Sequence, residues 1–189
     1  MKGRLIVLIT CLAVLFLINP LWSEQGSSES REGAVRRGAQ ISAAVLGIST
    51  VTLYAVGPFT GMDFEDHPVA SASMILTGSA VVLAGSYLCS TLFADVVLKS
   101  RAGPVRAGLE GLFAGALAGG ITNGTAFAAM FAIGVPSGVI EFNEPMDKHL
   151  DTWYKAASLG FLGGFMHGMV FGALAGSIGG TAISFTMGF

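Results

Sequence analysis

His167 stands between Met166 and Gly168, near the middle of a long apolar run. An ionisable side chain at membrane depth is costly and marks a candidate proton or ligand site. A neutral imidazole hydrogen-bonded to Asn123, Thr122 or Thr125 of the preceding apolar run fits the same position. No other histidine lies in an apolar run, so one chain cannot supply a bis-histidine haem site. Met130, Met166 and Met169 suit packing better than metal ligation. No cofactor is expected.

Asp95 and Glu110 sit near the ends of two apolar runs, beside Lys99, Arg101 and Arg106. Pairing at a membrane interface is their expected role. Two loops combine carboxylates with a histidine: Asp63, Glu65, Asp66 and His67, then Glu141, Glu144, Asp147, His149 and Asp151. Such a donor set suits a hard cation or, through the imidazole, a transition metal. The spacing fits no known loop motif, so a solvated or partner-binding loop is expected and no metal is assigned. Walker loop, nucleophile elbow, HExxH and CxxC are all absent. A rotary-ATPase proteolipid would carry a carboxylate where His167 stands. No catalytic residue is assigned.

The strongest pattern is a ladder of glycines. Gly160, Gly164, Gly168, Gly172, Gly176 and Gly180 recur at every fourth position. Gly111, Gly115 and Gly119 do the same in the run before, with Asn123 next in register and Gly120, Gly124, Ala128 and Ala132 beside them. On a helix this spacing makes one nearly straight stripe. Helices in lipid associate through close backbone approach and dispersion rather than apolar burial, and glycine permits that approach. The stripe is expected to pack these two helices on each other, on the helices before them, or on a second subunit. A pore lining is its sharper alternative.

The elements that carry these residues follow from composition. Of 189 residues, 52% are hydrophobic and 12% charged, with a mean hydropathy of +0.70. So few charges cannot cover a soluble globule, and so much apolar content excludes disorder. A net charge of −2 with scattered basic residues argues against nucleic-acid binding. Cys11 and Cys89 make neither a disulfide framework nor a zinc motif. The class is an all-α, polytopic membrane bundle. Its expected partners are the lipid bilayer and other membrane subunits or a second copy.

Apolar runs cover Leu5 to Trp22 and, approximately, Ala39 to Gly57, Val69 to Leu98, Gly108 to Val135 and Ala156 to Phe185. About 20 residues cross a bilayer. Four core helices, in two hairpins, are expected within residues 39–189. Residues 1–23 read as a signal peptide ending at Ser23 or as a further helix, and 24–38 as a polar basic linker. Arg36 and Arg37 share a side with Lys99, Arg101 and Arg106, which the positive-inside rule assigns to the cytoplasm. A cleaved signal peptide would place that side outside; a retained first helix with its N-terminus outside, which Lys2 and Arg4 oppose, or targeting to an organelle membrane rather than a plasma or inner membrane would remove the conflict, and the orientation stays open. The alternation near Phe189 resembles a barrel strand, but the long runs exclude a barrel.

Val35-Arg36-Arg37-Gly38 and Val105-Arg106-Ala107-Gly108 open two halves of similar order, each with a Gly/Pro break and an acidic-aromatic loop. A parallel repeat would relate them, as in some transporters; convergent helix caps and breakers read the same way.

Residues 84–115 also bear a faint likeness to a family signature. Ala84 and Tyr87 fit its opening and Gly111 and Gly115 its closing glycine pair. Lys99 stands one residue late for an arginine, and Gly103 falls near the place of an aspartate. In this the segment is similar to the mitochondrial and plastid preprotein and amino-acid transporters, a family of glycine-rich four-helix translocases and carriers. The resemblance covers about a sixth of the chain and implies transport. The residues themselves point first to a non-enzymatic packing or accessory subunit of a larger membrane complex, and second to a small channel, carrier or translocase subunit.

Overall fold

A computed structural model describes residues 33–34, 36–38, 40–42, 44–45, 66–142, 149–150 and 152–189. These residues hold helices and turns and no strand. Three helices are long and apolar enough to cross a membrane: α1 (Pro68–Ser100), α2 (Pro104–Gly134) and α3 (Trp153–Met187). They correspond to the last three apolar runs. The first run, most of the second, the repeat that depends on it, and Asp63, Glu65, Glu144, Asp147 and Asp151 lie outside the described residues. Helical residues already occur at 33–34 and 36–38, inside the stretch read as a linker.

Proline opens both α1 and α2, where its missing N–H costs no hydrogen bond. α1 stops at Arg101, whose left-handed backbone (φ 44°) returns its N–H to Val97. α3 stops at Gly188 in the same conformation. The helices run through charged neighbours such as Arg106 and Lys155, beyond the apolar runs, because backbone hydrogen bonding continues where hydropathy falls. At about 1.5 Å per residue, the 33, 31 and 35 residues of α1, α2 and α3 exceed the ~30 Å of a hydrocarbon core. Their ends therefore reach the interfaces or the axes tilt.

Residue sizes are inverted relative to a soluble bundle. The buried positions of α1 include Ser71, Gly78, Ser86, Cys89, Ser90 and Ala94, while Leu76, Leu88 and Leu92 are exposed. On α2, Leu109, Phe113, Leu117 and Ile121 make an outward stripe; on α3, Leu162, Met166, Val170, Leu174 and Ile178 do. Large apolar groups outside and small groups inside suit a lipid surround.

Helix α2 is the central element, packed against both α1 and α3, and α1 also touches α3 where Phe93 meets Gly179. The α1/α2 turn is tied to the end of α3 by the Ser184 hydroxyl, which donates to the Ala102 carbonyl (2.8 Å). Arg37 donates to the Thr186 hydroxyl (2.7 Å), and Ala34 joins Phe93, Ala94, Val97 and Ile183 in the core there. At the opposite end Met74, Met130, Phe131, Val139 and Ile140 form a second core.

Candidate functional site

The site is built from backbone. A Cβ placed on Gly111 would strike the Gly176 carbonyl oxygen, and one on Gly176 would strike that of Gly111. The same reciprocity joins Gly115 with Gly172 and Gly119 with Gly168. Gly164 lies over the Asn123 carbonyl, Gly160 over that of Phe127, and Gly180 over that of Ala107. An antiparallel seam thus runs through about five helical turns; no side chain separates the backbones where Gly111, Gly115 and Gly119 face Gly176, Gly172 and Gly168, and the Cβ atoms of Asn123, Phe127 and Phe131 border it toward Gly160. The glycine Cα hydrogens point at the facing carbonyls, an arrangement suited to weak Cα–H···O contacts. Of the three arrangements open to the ladder, the structure places α2 and α3 on each other.

The flanking small stripe has a different use. Gly120 faces Met169 and Phe165, and Gly124 faces Phe161; the rings of Phe161 and Phe165 stack with centroids 5.8 Å apart. The α1–α2 contact is likewise of side chain against glycine. Met130 fills the space at Gly78, and Thr122 fills that at Gly85. Gly163, off the stripe, faces open space.

Asn123 sits where α3 crosses at Gly164 and Gly168. It lies two residues from Ile121, hence on the face opposite the outward stripe of α2, and it is 0% exposed. Neither its amide nitrogen nor its amide oxygen has a hydrogen-bond partner. An unpaired buried amide costs about 1–3 kcal/mol. Asn123 opens an Asn-Gly-Thr sequon of which Asn123 and Gly124 are buried and Thr125 is exposed.

The Asn123 side chain makes no hydrogen bond to His167. Thr122 meets the Cys89 thiol (3.3 Å), and the Thr125 hydroxyl donates to the Ile121 carbonyl one turn back (2.8 Å). His167 is partly buried, with its ring 4.5 Å from that of Phe171 and 6.2 Å from that of Phe127. Its Cα lies beside the seam at Gly168, but its ring is aimed along the aromatic flank. The Cys89–Thr122 contact had no signal in spacing, since the two residues meet only through the α1–α2 register.

At the charged ends, Arg106 pairs with Glu110 one turn on (2.8 Å). Among the described residues the two histidine-bearing loops meet where His67 packs over Gly138, which requires glycine for its φ of +73°. Among the described residues no three of His, Cys, Asp and Glu gather where a metal could be held. Trp153 and Tyr154 stand exposed in a T-shaped pair (6.1 Å), as aromatic residues do at a membrane interface. No protein-family model, curated protein or solved structure matches the chain.

Proposed function

We propose that this chain is a non-enzymatic, multi-pass membrane protein that acts as a packing or accessory subunit of a larger membrane assembly. The observation that carries this reading is the α2–α3 seam. It joins two long helices by backbone contact along most of their length and leaves their apolar stripes facing outward. Because the glycines are occupied within the chain, contacts to other subunits fall to those outer stripes. Purification of the full chain in mild detergent, followed by native mass measurement and subunit identification, tests the reading. Recovery with defined membrane subunits supports it; recovery of an isolated, fully active monomer overturns it.

A small channel, carrier or translocase subunit is the second reading, favoured by Asn123. An unpaired amide on the inward face of α2 is what a polar path through the bundle would need. Residues 1–23 complete the proposal as a signal peptide, with a mature start near Glu24; N-terminal sequencing that recovers Met1 would make them a retained helix instead.

A further inference from the structure

We propose that the arginine-bearing end of the bundle is a binding collar for anionic lipid headgroups, with the phosphate oxygens as the recognised group. Three separate segments bring cations there: Arg36 and Arg37, then Lys99 and Arg101, then Arg106. The hydrogen bonds Arg37–Thr186 and Ser184–Ala102 gather these segments around the end of α3. Among the described residues Arg37, Lys99, Arg101 and Arg106 stand here beside the carboxylates Asp95 and Glu110, and Glu110 is already engaged by Arg106. Arg37 donates to a neutral hydroxyl and makes no ion pair among the described residues. Lys99 and Arg101 are exposed and make no ion pair among the described residues.

Two further observations select a lipid over a dissolved anion. The cations border exposed apolar side chains: Val96 precedes Lys99 on α1, Val105 adjoins Arg106, and Phe185 adjoins Thr186. That border is the depth at which headgroup phosphates lie. Arg101 also occupies a left-handed C-cap (φ 44°), which glycine would fill without strain. The guanidinium, not the backbone, suits the position. At the other end the described charges include Asp66 and Glu141 with Lys155, so the basic excess belongs to one end only. Each cation near an anionic surface contributes about 1 kcal/mol, or roughly fivefold in affinity.

The inference requires a membrane setting but not the subunit reading. Resistance of the full chain to carbonate extraction establishes that setting independently. The test uses the full chain in neutral detergent and in nanodiscs of phosphatidylcholine, with or without phosphatidylglycerol. Native mass spectrometry should find phosphatidylglycerol retained in preference to phosphatidylcholine, and the preference should fade with added sodium chloride as the charges are screened. Lys99→Gln and Arg101→Gly should each weaken it about fivefold, with Arg101→Gly at least as stable as wild type in neutral detergent. Equal retention of both lipids, insensitivity to salt, variants with wild-type preference, or equal stabilisation by inorganic phosphate would each overturn the proposal. If a variant fails to fold, the salt dependence of the wild-type chain decides.

Discussion

Gly176 and Gly111 each occupy the space that the other's side chain would need: a Cβ on either would fall against the opposite carbonyl oxygen. Backbone cannot rotate aside as a side chain can. The cost of adding a methyl group should therefore depend on what it meets, and three glycines separate the cases.

Gly172→Ala presses on the Gly115 carbonyl and should destabilise by about 1–3 kcal/mol. Gly78→Ala meets the flexible Met130 side chain and should cost less. Gly163→Ala meets nothing and should be neutral or stabilising by up to about 1 kcal/mol, from helix propensity. Thermal unfolding in one detergent ranks the three. A cost at Gly163 equal to that at Gly172 would place α3 differently from the packing described.

Asn123→Ala removes an amide that has no partner. No hydrogen bond is lost, and relief of the buried amide's desolvation penalty offsets the packing lost on truncation, so the net change in stability should stay within about 1 kcal/mol. A large loss would reveal a partner for the amide in the membrane. Retained stability with lost flux in proteoliposomes would favour the transport reading over the subunit reading.

His167→Gln keeps a group able to donate and accept but cannot take up a proton near neutrality. A packing role beside Phe171 and Phe127 predicts a folded protein that still assembles. If the same folded variant abolishes a pH-dependent flux, transport replaces the proposed function.

Ser184→Ala deletes the bond to Ala102. The expected cost is about 1 kcal/mol, with faster hydrogen exchange in the turn between α1 and α2 and little change along the seam. Uniform loss of protection would show that this end of α3 is more deeply coupled to the bundle.

Helix identity was legible in the apolar runs because lipid-facing side chains are large and apolar whichever neighbour lies behind them. Helix ends were less so: Trp153 and Lys155 lie inside α3, since a helix can continue past the point where lipid ends. The glycine spacing marked a close approach but not its partner, which depends on how the chain turns between residues 135 and 152. Of the partners expected for His167, the Asn123 side chain is not one. Spacing placed His167 near Asn123 along the axis, whereas rotation about α3 turned its ring toward Phe171. The Cys89–Thr122 contact depends on the relative slide of two helices, which neither helix encodes alone.

A seam made of glycine has no rotamers to freeze. Bringing α2 and α3 together leaves side-chain entropy almost untouched along the stripe, whereas docking α1 must hold Met130 and Thr122 in single conformations. On the α2–α3 side that entropic penalty is confined to the flank, where Phe161, Phe165 and Met169 rest on Gly120 and Gly124, whereas the α1 contact relies on fixed side chains throughout. Heating should therefore release α1 first, while α2 and α3 stay together as a hairpin.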